Sequence, residues 1–495
     1  MSKSFSLDIL LLISLLILSY FPLFLHLDKL PIVLWDESRL ALSALEMSEN
    51  NDYLITSFQN LPDMWSTKPP LMIWIQVMML KIFGTNELAI RLPSAIAGLL
   101  TVLSIYFFLK KYIKQTSIGL ISAAVLLTSQ GYIAIHVTRT GDYDALLTLF
   151  TTTFAFSFFA ACEEKSYKKL LLFFIISALA IFTKSISGLM TFPGLLVYAM
   201  LSKKLVWLFK PKHILSGIAI LGIPLIYYFV REQYNTGYIL AIWDNELGGR
   251  FSKSLTLDTE PALFYYNLLK DIQFSYWFWF LLPGLAAIAL TKDQKLKSIG
   301  ALSVLFVIGY WSIISIAETK LMWYNAPLFP FLSIVVGIGI HYFVTLITSK
   351  FELKPSHKIV LSIIIVAVVF LKPYRQIIGK VYKPKFDTWE TEFYQLAYYL
   401  KETLNSGGKL PSSLICFEGY HANVLFYTHQ LSKKLGPIKI ENTYFVNHNI
   451  TRDITIICAQ QEVKQVIESQ FEYEKSKLYQ NVDLYKVKLK AEKKD

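Results

Sequence analysis

From the first residues to about position 371 the chain alternates long apolar runs with short polar connections. The runs are Leu7 to Leu27, Leu88 to Leu109, Ile118 to Ile135, Ala145 to Ala161, Leu170 to Phe182, Gly188 to Leu201, Ile214 to Val230, Phe274 to Leu290, Ile299 to Ile316, Trp323 to Ile347 and Ile359 to Leu371. Since a helix of roughly 20 apolar residues crosses a bilayer, the pattern predicts an α-helical polytopic membrane protein of about 11 to 13 spans. The connection between the first two runs is long enough to be a functional loop. Within it Leu40, Ala41, Ala44, Leu45 and Met47 share one helical face, with Asp36 near the N-terminus of that helix. A second amphipathic helix runs from Leu71 to Phe83, entered through Lys68-Pro69-Pro70, where proline is tolerated in a first turn. Both helices read as lying on the outer membrane face.

Beyond Leu371 the pattern changes. A helical stretch Thr388 to Leu404, an apolar strand Leu414 to Phe417, a helix Asn423 to His429, a strand Ile454 to Cys458, a helix Gln460 to Ser469 and an alternating run Asn481 to Leu489 predict a small α/β domain. The expected division is a membrane domain over 1–373 and an extracytoplasmic α/β domain over 374–495.

Composition narrows the class. A 495-residue chain that is 54% hydrophobic and 17% charged is too apolar for a soluble protein of this size. Its net charge of +12 comes from lysines in short clusters, such as Lys110, Lys111 and Lys114 or Lys292, Lys295 and Lys297. These fall in alternate connections, which argues against nucleic acid and, by the positive-inside rule, for a cytoplasmic N-terminus. The Asp36 loop, the Arg139 to Asp144 turn, Lys184, the Arg231 to Gln273 loop, the Glu318 to Lys320 turn and the C-terminal domain then share the outer side. The first run is longer than a signal-peptide core and no small-residue cleavage site follows, so it reads as a retained helix. Of three cysteines, only Cys416 and Cys458 could meet.

The candidate chemistry lies on that side. Asp36 and Glu37 are adjacent carboxylates in a position that also suits a helix cap. Asp142 and Asp144 form a second acidic site, in a turn that glycine and aspartate favour anyway. Lys184 interrupts an apolar stretch, which is costly unless the ammonium reaches the interface or pairs with an anion. Glu246 precedes Gly248-Gly249-Arg250, where backbone and guanidinium can approach an anion together. Lys320 is followed by Tyr324 and Asn325, which could hydrogen-bond a sugar. Carboxylates to activate a hydroxyl, cations to hold a phosphate and surface helices to admit a lipid tail suit transfer of a group from a lipid phosphate. The C-terminal α/β domain offers no glycine-rich phosphate loop and no metal-ligand spacing.

The motif order resembles a known family. Asp-Glu-x-Arg from Asp36 to Arg39, Lys-Pro-Pro at Lys68, Arg-x-Pro from Arg91 to Pro93, the acidic turn, Thr183-Lys184, Arg250-Phe251 and Lys320 followed by Tyr324 are similar to the multi-spanning C-type glycosyltransferases. Within these the chain looks most like the aminoarabinose transferase and protein mannosyltransferase group. The resemblance implies a polyprenyl-phosphate-linked sugar donor, an active site at the outer face of a bacterial inner membrane and inversion at the anomeric carbon. It also implies Asp36 as general base with Glu37 as partner or orienter. Lys68, Lys184, Arg250 and Lys320 would hold the departing phosphate, and Arg39, Asp142, Asp144, Glu246 and Tyr324 would position sugar or acceptor. Aminoarabinose transferases carry a glutamate where this chain has Thr67 and a histidine where it has Leu247. Accordingly neither that metal site nor that sugar is expected, and no cofactor is predicted. The expected partners are the lipid-linked donor, a glycolipid, glycan or protein acceptor, and membrane lipids. A polyprenyl-linked oligosaccharide ligase or polymerase shares the donor chemistry. A transporter would show internal repeats and midplane polar residues, which this chain lacks.

Overall fold

The computed structural model describes residues 3–251, 260–386 and 391–488. Each apolar run named above contributes a helix. The first elements are α1 (Lys3–Phe24), α2 (Asp36–Asn50), the two-stranded hairpin β1 (Ser57–Phe58) and β2 (Leu61–Pro62), α3 (Leu71–Phe83), α4 (Glu87–Ile113), α5 (Thr116–Leu127), α6 (Asp144–Glu164), α7 (Tyr167–Lys184) and α8 (Phe192–Leu201). Among the described residues seven helices are long and apolar enough to cross a membrane. There are eight if Phe264–Gln273 and Ser275–Leu290, bent by 104°, count as one broken span. Asp8–Phe24 within α1, α3, α5 and α8 are shorter apolar helices.

The helix α5 ends well before the apolar run does. Thr128 and Ser129 turn their hydroxyls back onto the carbonyls of Ala124 and Val125, a local competition that closes the helix and releases residues 128–143 as an irregular segment. That segment and the N-terminus of α6 carry several of the charged groups described below. α6 is the central mast, with 89% of its apolar window buried, whereas the last membrane helix, Pro355–Tyr382, is only 6% buried and stands at the periphery. Phe108 of α4 stacks on Phe156 of α6 at 3.9 Å, and Phe306 on Phe331 at 3.8 Å. Buried aromatic faces of this kind add to burial itself.

The surface location expected for α2 changes in the fold. Ten of its 15 residues are buried, among them Glu37, Ser38, Ser43 and Glu46, because α2 lies between α3 and the helix Ala422–Leu435 of the C-terminal unit. Its polar face is satisfied inside the protein: Ser43 Oγ donates to the Ser57 carbonyl, and Glu46 accepts from Ser57 Oγ and the Asn60 N–H.

The C-terminal unit is the expected α/β layer. Five strands, β3 (Leu414–Cys416), β4 (Lys439–Glu441), β5 (Ile454–Cys458), β6 (Glu472–Lys477) and β7 (Asp483–Lys488), are ordered β4-β3-β5-β7-β6. β3 is parallel to β4 and β5, and β7 is antiparallel to β5 and β6. β4 and β6 escape a hydrophobic pattern search, the first because it has three residues and the second because all six of its residues are exposed. Cys416 and Cys458 lie on adjacent strands as free, buried thiols, so the bridge considered above is absent.

Candidate active site

The loop between α1 and α2 converges on Asp36 through a strained residue. Trp35 has φ 73° and ψ −114°, a region that a bulky side chain occupies at a cost of about 1–3 kcal/mol. Its surroundings fix it there. The Val33 N–H donates to Glu37 Oε2 at 2.7 Å, the Ile32 N–H to Tyr427 Oη at 2.8 Å and the Leu34 N–H to Tyr394 Oη at 3.0 Å. The two tyrosines belong to the C-terminal unit. Asp36 is therefore the first residue of α2, and the cap position, for which an aspartate would also suit, belongs to Trp35, which makes no side-chain cap bond.

Glu37 is engaged on both carboxylate oxygens by groups of the protein itself. Fully buried, it accepts from Arg91 Nε and Nη2 at 2.7 and 2.8 Å and from the Gly141 N–H at 2.8 Å. Arg91 spends its remaining donors on the carbonyls of Leu27, Leu30 and Pro31. One ion pair thus ties together the end of α1, the entry to α2, the start of α4 and the turn before α6. Gly141 is required at this turn: an added Cβ would meet Ile90 Cγ2 at 2.5 Å and the Ile90 carbonyl at 2.7 Å.

Around that anchor the acidic turn faces Asp36. A carboxylate oxygen of Asp36, a ring nitrogen of His136 and a carboxylate oxygen of Asp142 all lie within 4.8 Å of one another. His136 Nδ1 is 3.5 Å from Asp142 Oδ2, its ring stacks on Trp323 at 3.8 Å, and Thr140 donates its hydroxyl to Asp142. Burial, with Asp36 and Glu37 nearby, pushes the Asp142 carboxyl well above the usual carboxylate range. Burial also holds the His136 imidazole below its ordinary value, although the carboxylates of Asp36, Asp144 and Glu37 pull the other way.

The cations lie beside this cluster. Lys184 Nζ donates to Asp144 Oδ1 at 2.6 Å and lies 5.1 Å from the centre of the Tyr324 ring. Lys68 Nζ is 3.5 Å from Glu246 Oε1 and 5.4 Å from the Tyr143 ring centre, and Thr67 Oγ1 donates to the same Glu246 oxygen at 3.3 Å. Lys68, Lys184, Glu246 and Tyr324 form the polar end of a cavity of about 390 Å³. Its body is apolar, lined by Ile186, Leu189, Met190, Pro193, Ile313 and Ile314 among others. The groove therefore runs between the α7 to α8 connection and the helix Gln294–Ile316, not between the two amphipathic helices where the sequence suggested a tail would enter.

The other expected residues are spread more widely. Arg39 makes a two-pronged pair with Asp63, 2.7 Å at each contact, and covers the Phe58 ring at 4.2 Å. Thr319, rather than Lys320, lines the cavity. The side chains of Arg250 and Leu247 lie outside the described residues. His136 escapes a reading of the sequence because a lone histidine has no local signature; Arg91 stands there only as part of a motif, and Asp63 gives no signal. Arg231, also buried, reaches back to Thr56 Oγ1 and the Asp63 carbonyl, packing the large loop onto the first one.

This fold recurs in solved proteins. The chain superposes on the crystal structure of ArnT from Cupriavidus metallidurans bound to undecaprenyl phosphate with a TM-score of 0.69, covering 97% of this chain and 98% of that one at 13% identity. The family model described as dolichyl-phosphate-mannose-protein mannosyltransferase matches residues 67–236. An uncharacterised protein of Aquifex aeolicus is 24% identical over 79% of this chain and 85% of its own length. An undecaprenyl phosphate-alpha-4-amino-4-deoxy-L-arabinose arabinosyl transferase of Erwinia tasmaniensis is 30% identical over 27% of this chain and 24% of its own length. The chain is thus an integral membrane protein with the fold of the C-type glycosyltransferases, which it resembles in both sequence and structure. Among solved members of that fold it follows ArnT nearly end to end.

Proposed function

We propose that the protein transfers a sugar from a polyprenyl-phosphate donor to an acceptor in the cell envelope, at the outer face of a bacterial inner membrane and with inversion. The observation that carries this reading is the cavity: an apolar body with two ammonium groups among its polar lining, one of which, Lys184, is paired with Asp144 of the acidic turn. A lipid chain matches the body, and a phosphate matches Lys68 and Lys184. The anomeric carbon would then lie toward the acidic cluster. ArnT from Cupriavidus metallidurans was crystallised bound to undecaprenyl phosphate, which supports the same donor class.

In this reaction the acceptor hydroxyl oxygen forms a bond to the anomeric carbon as the bond from that carbon to the phosphate oxygen breaks. Asp36 takes the hydroxyl proton, for which it needs hydrogen-bond reach and an ionised carboxylate. The electron pair leaves with the lipid phosphate, whose growing charge Lys68 and Lys184 offset. Asp144 and Glu246 hold the two ammonium groups in place before the donor arrives. Arg39 and Tyr324 border the acceptor and donor sides respectively.

The experiment is transfer by purified full-length protein in detergent, from a panel of polyprenyl-phosphate sugars to envelope lipid, glycan and peptide acceptors. Wild type is expected to transfer or hydrolyse at least one donor, and Asp36→Asn to lose that turnover while eluting as a folded monodisperse species. Full turnover by Asp36→Asn would overturn the assignment of the base. Turnover of no donor in the panel would count against the donor class.

A further inference from the structure

Beside Asp36 the chain builds a layered aromatic surface. Trp35 and Tyr420 stack in parallel, 4.9 Å apart, Phe58 lies nearly parallel to Tyr420 at 6.1 Å, and the Arg39 guanidinium covers Phe58 at 4.2 Å. Packing leaves Tyr420 and Phe58 half-buried, whereas Trp35 is 62% exposed. Since Tyr420 closes one indole face, that exposure includes the opposite one. A single exposed tryptophan is ordinary on a protein surface. This one is held in a strained backbone conformation, with φ 73° and ψ −114°, and the hydrogen bonds of residues 32–34 to Tyr427, Glu37 and Tyr394 fix it there. Such rigidity serves recognition, because a side chain ordered beforehand loses little freedom when a ligand arrives.

The neighbours of Trp35 place that open face away from the bilayer and next to the proposed base. Tyr420 belongs to the C-terminal unit, which follows Pro355–Tyr382, the last helix among the described residues long enough and apolar enough to cross a membrane. The α-carbons of Trp35 and Asp36 are about 3.8 Å apart across one peptide. Tyr420 Oη lies 3.5 Å from the Trp35 carbonyl. Burial raises the Tyr420 phenol above its ordinary value, Arg39 pulls it back and Asp36 adds to the rise, so the phenol lies within reach of both charges. We propose that Trp35, backed by Tyr420, is the platform on which a sugar ring of the acceptor stacks, so that the acceptor is a saccharide rather than a peptide. This inference rests on the transferase reading and names its acceptor class. The face of an indole is its negative side, and the C–H groups on one face of a pyranose ring are weakly positive, so the two pack without a formal charge on either. Hydroxyls at the edge of that ring need planar polar partners. Arg39 is one helical turn beyond Trp35, its N–H donating to the Trp35 carbonyl at 3.1 Å. Its guanidinium, gripped by Asp63 in the two-pronged pair yet 17% exposed, is such a partner. A peptide would call for backbone donors and acceptors, which an aromatic face does not offer.

The test is binding without donor, so its failure and that of the transfer assay are separate results. Full-length protein, in a detergent whose headgroup is not a sugar, is mixed with soluble disaccharides of hexoses and N-acetylhexosamines and, separately, with a serine- and threonine-rich peptide. Saturation-transfer NMR reads which ligand protons touch the protein. The expected result is saturation of the C–H protons on one face of a sugar ring. Trp35→Ala should weaken that binding about tenfold or more, Trp35→Phe by no more than about threefold, and Trp279→Ala, which removes an exposed tryptophan elsewhere, not at all. Should the alanine variant fail to fold, Trp35→Gly removes the ring while accepting the positive φ, and must show the same loss. Wild type that binds no disaccharide, or binds the peptide in their place, overturns the platform whether or not the variants fold. Undiminished saccharide binding by a folded variant without the ring does the same and leaves Trp35 a packing residue.

Discussion

The ring of Tyr420 lies parallel to the ring of Trp35, at a centroid distance of 4.9 Å and an angle of 1°. Tyr420 belongs to the C-terminal unit, whereas Trp35 is the strained residue immediately before Asp36. Phe58 also lies nearly parallel to the Tyr420 ring, at 6.1 Å. The C-terminal unit therefore does more than cover the membrane helices: with Tyr394, Tyr427 and Lys401, which donates to the Asp28 and Lys29 carbonyls, it grips the whole approach to α2.

Tyr420→Ala removes a stack worth about 0.5–1.5 kcal/mol and should slow transfer by about two- to tenfold through displacement of Asp36. Tyr420→Phe keeps the stack and should keep the rate. Parallel melting curves check that the loss is not one of folding, and equal rates for the alanine and phenylalanine variants would remove the positioning role.

Glu37→Gln leaves the buried Arg91 guanidinium without its carboxylate. Removing one partner of such a pair costs about 3–5 kcal/mol, so the thermal transition in detergent should fall sharply. Removing the exposed Glu474, paired with Lys488 at the edge of the sheet, should leave the transition where it was. An unshifted transition for Glu37→Gln would contradict its part as the anchor of the first loop.

The pH dependence follows from Asp63. Burial alone would raise its carboxyl, but the two bonds from Arg39 and the N–H groups of Ser66 and Trp65 outweigh that and hold it below the usual carboxylate value. A depressed folded-state pKa means that the stabilisation is fully present above the unfolded value, near 3.8, and is lost as pH falls through the lower folded value. Acid unfolding followed by tryptophan fluorescence should therefore show a limb below about pH 4. In Asp63→Asn this limb should be flattened, on a lower plateau at neutral pH.

Ala317 lines the cavity and is 8% exposed. Ala317→Trp would fill the apolar body proposed above to take the lipid chain. The KM for a long-chain donor should rise while that for a short-chain, water-soluble analogue changes little. Equal effects on both donors would mean that the chain binds elsewhere.

Much of the fold was legible from the order of residues because its signals are local. Membrane-length runs must satisfy their backbone within one segment, so they become helices whatever surrounds them. The 3.6-residue stripe likewise marked α2, Pro70 marked the entry to α3, and Leu414 to Phe417 stood out as an unbroken apolar strand. The positions of Asp36, Lys68, Asp142, Asp144 and Lys184 were also legible, because charge beside or within apolar sequence is costly and invites a reason.

Only the tertiary structure decided what those charges face. That Glu37 is bound by Arg91 and Gly141, that His136 meets Asp36, that Thr319 rather than Lys320 reaches the cavity and that Tyr420 stacks on Trp35 all depend on contacts between segments separated by tens to hundreds of positions. Periodicity and composition do not encode such distances, and a buried ion pair or a stacked ring leaves no trace in either segment read alone. The sequence by itself determined a helical membrane protein with acidic and basic groups in the connections between its apolar runs; packing around α6 determined which of them come together.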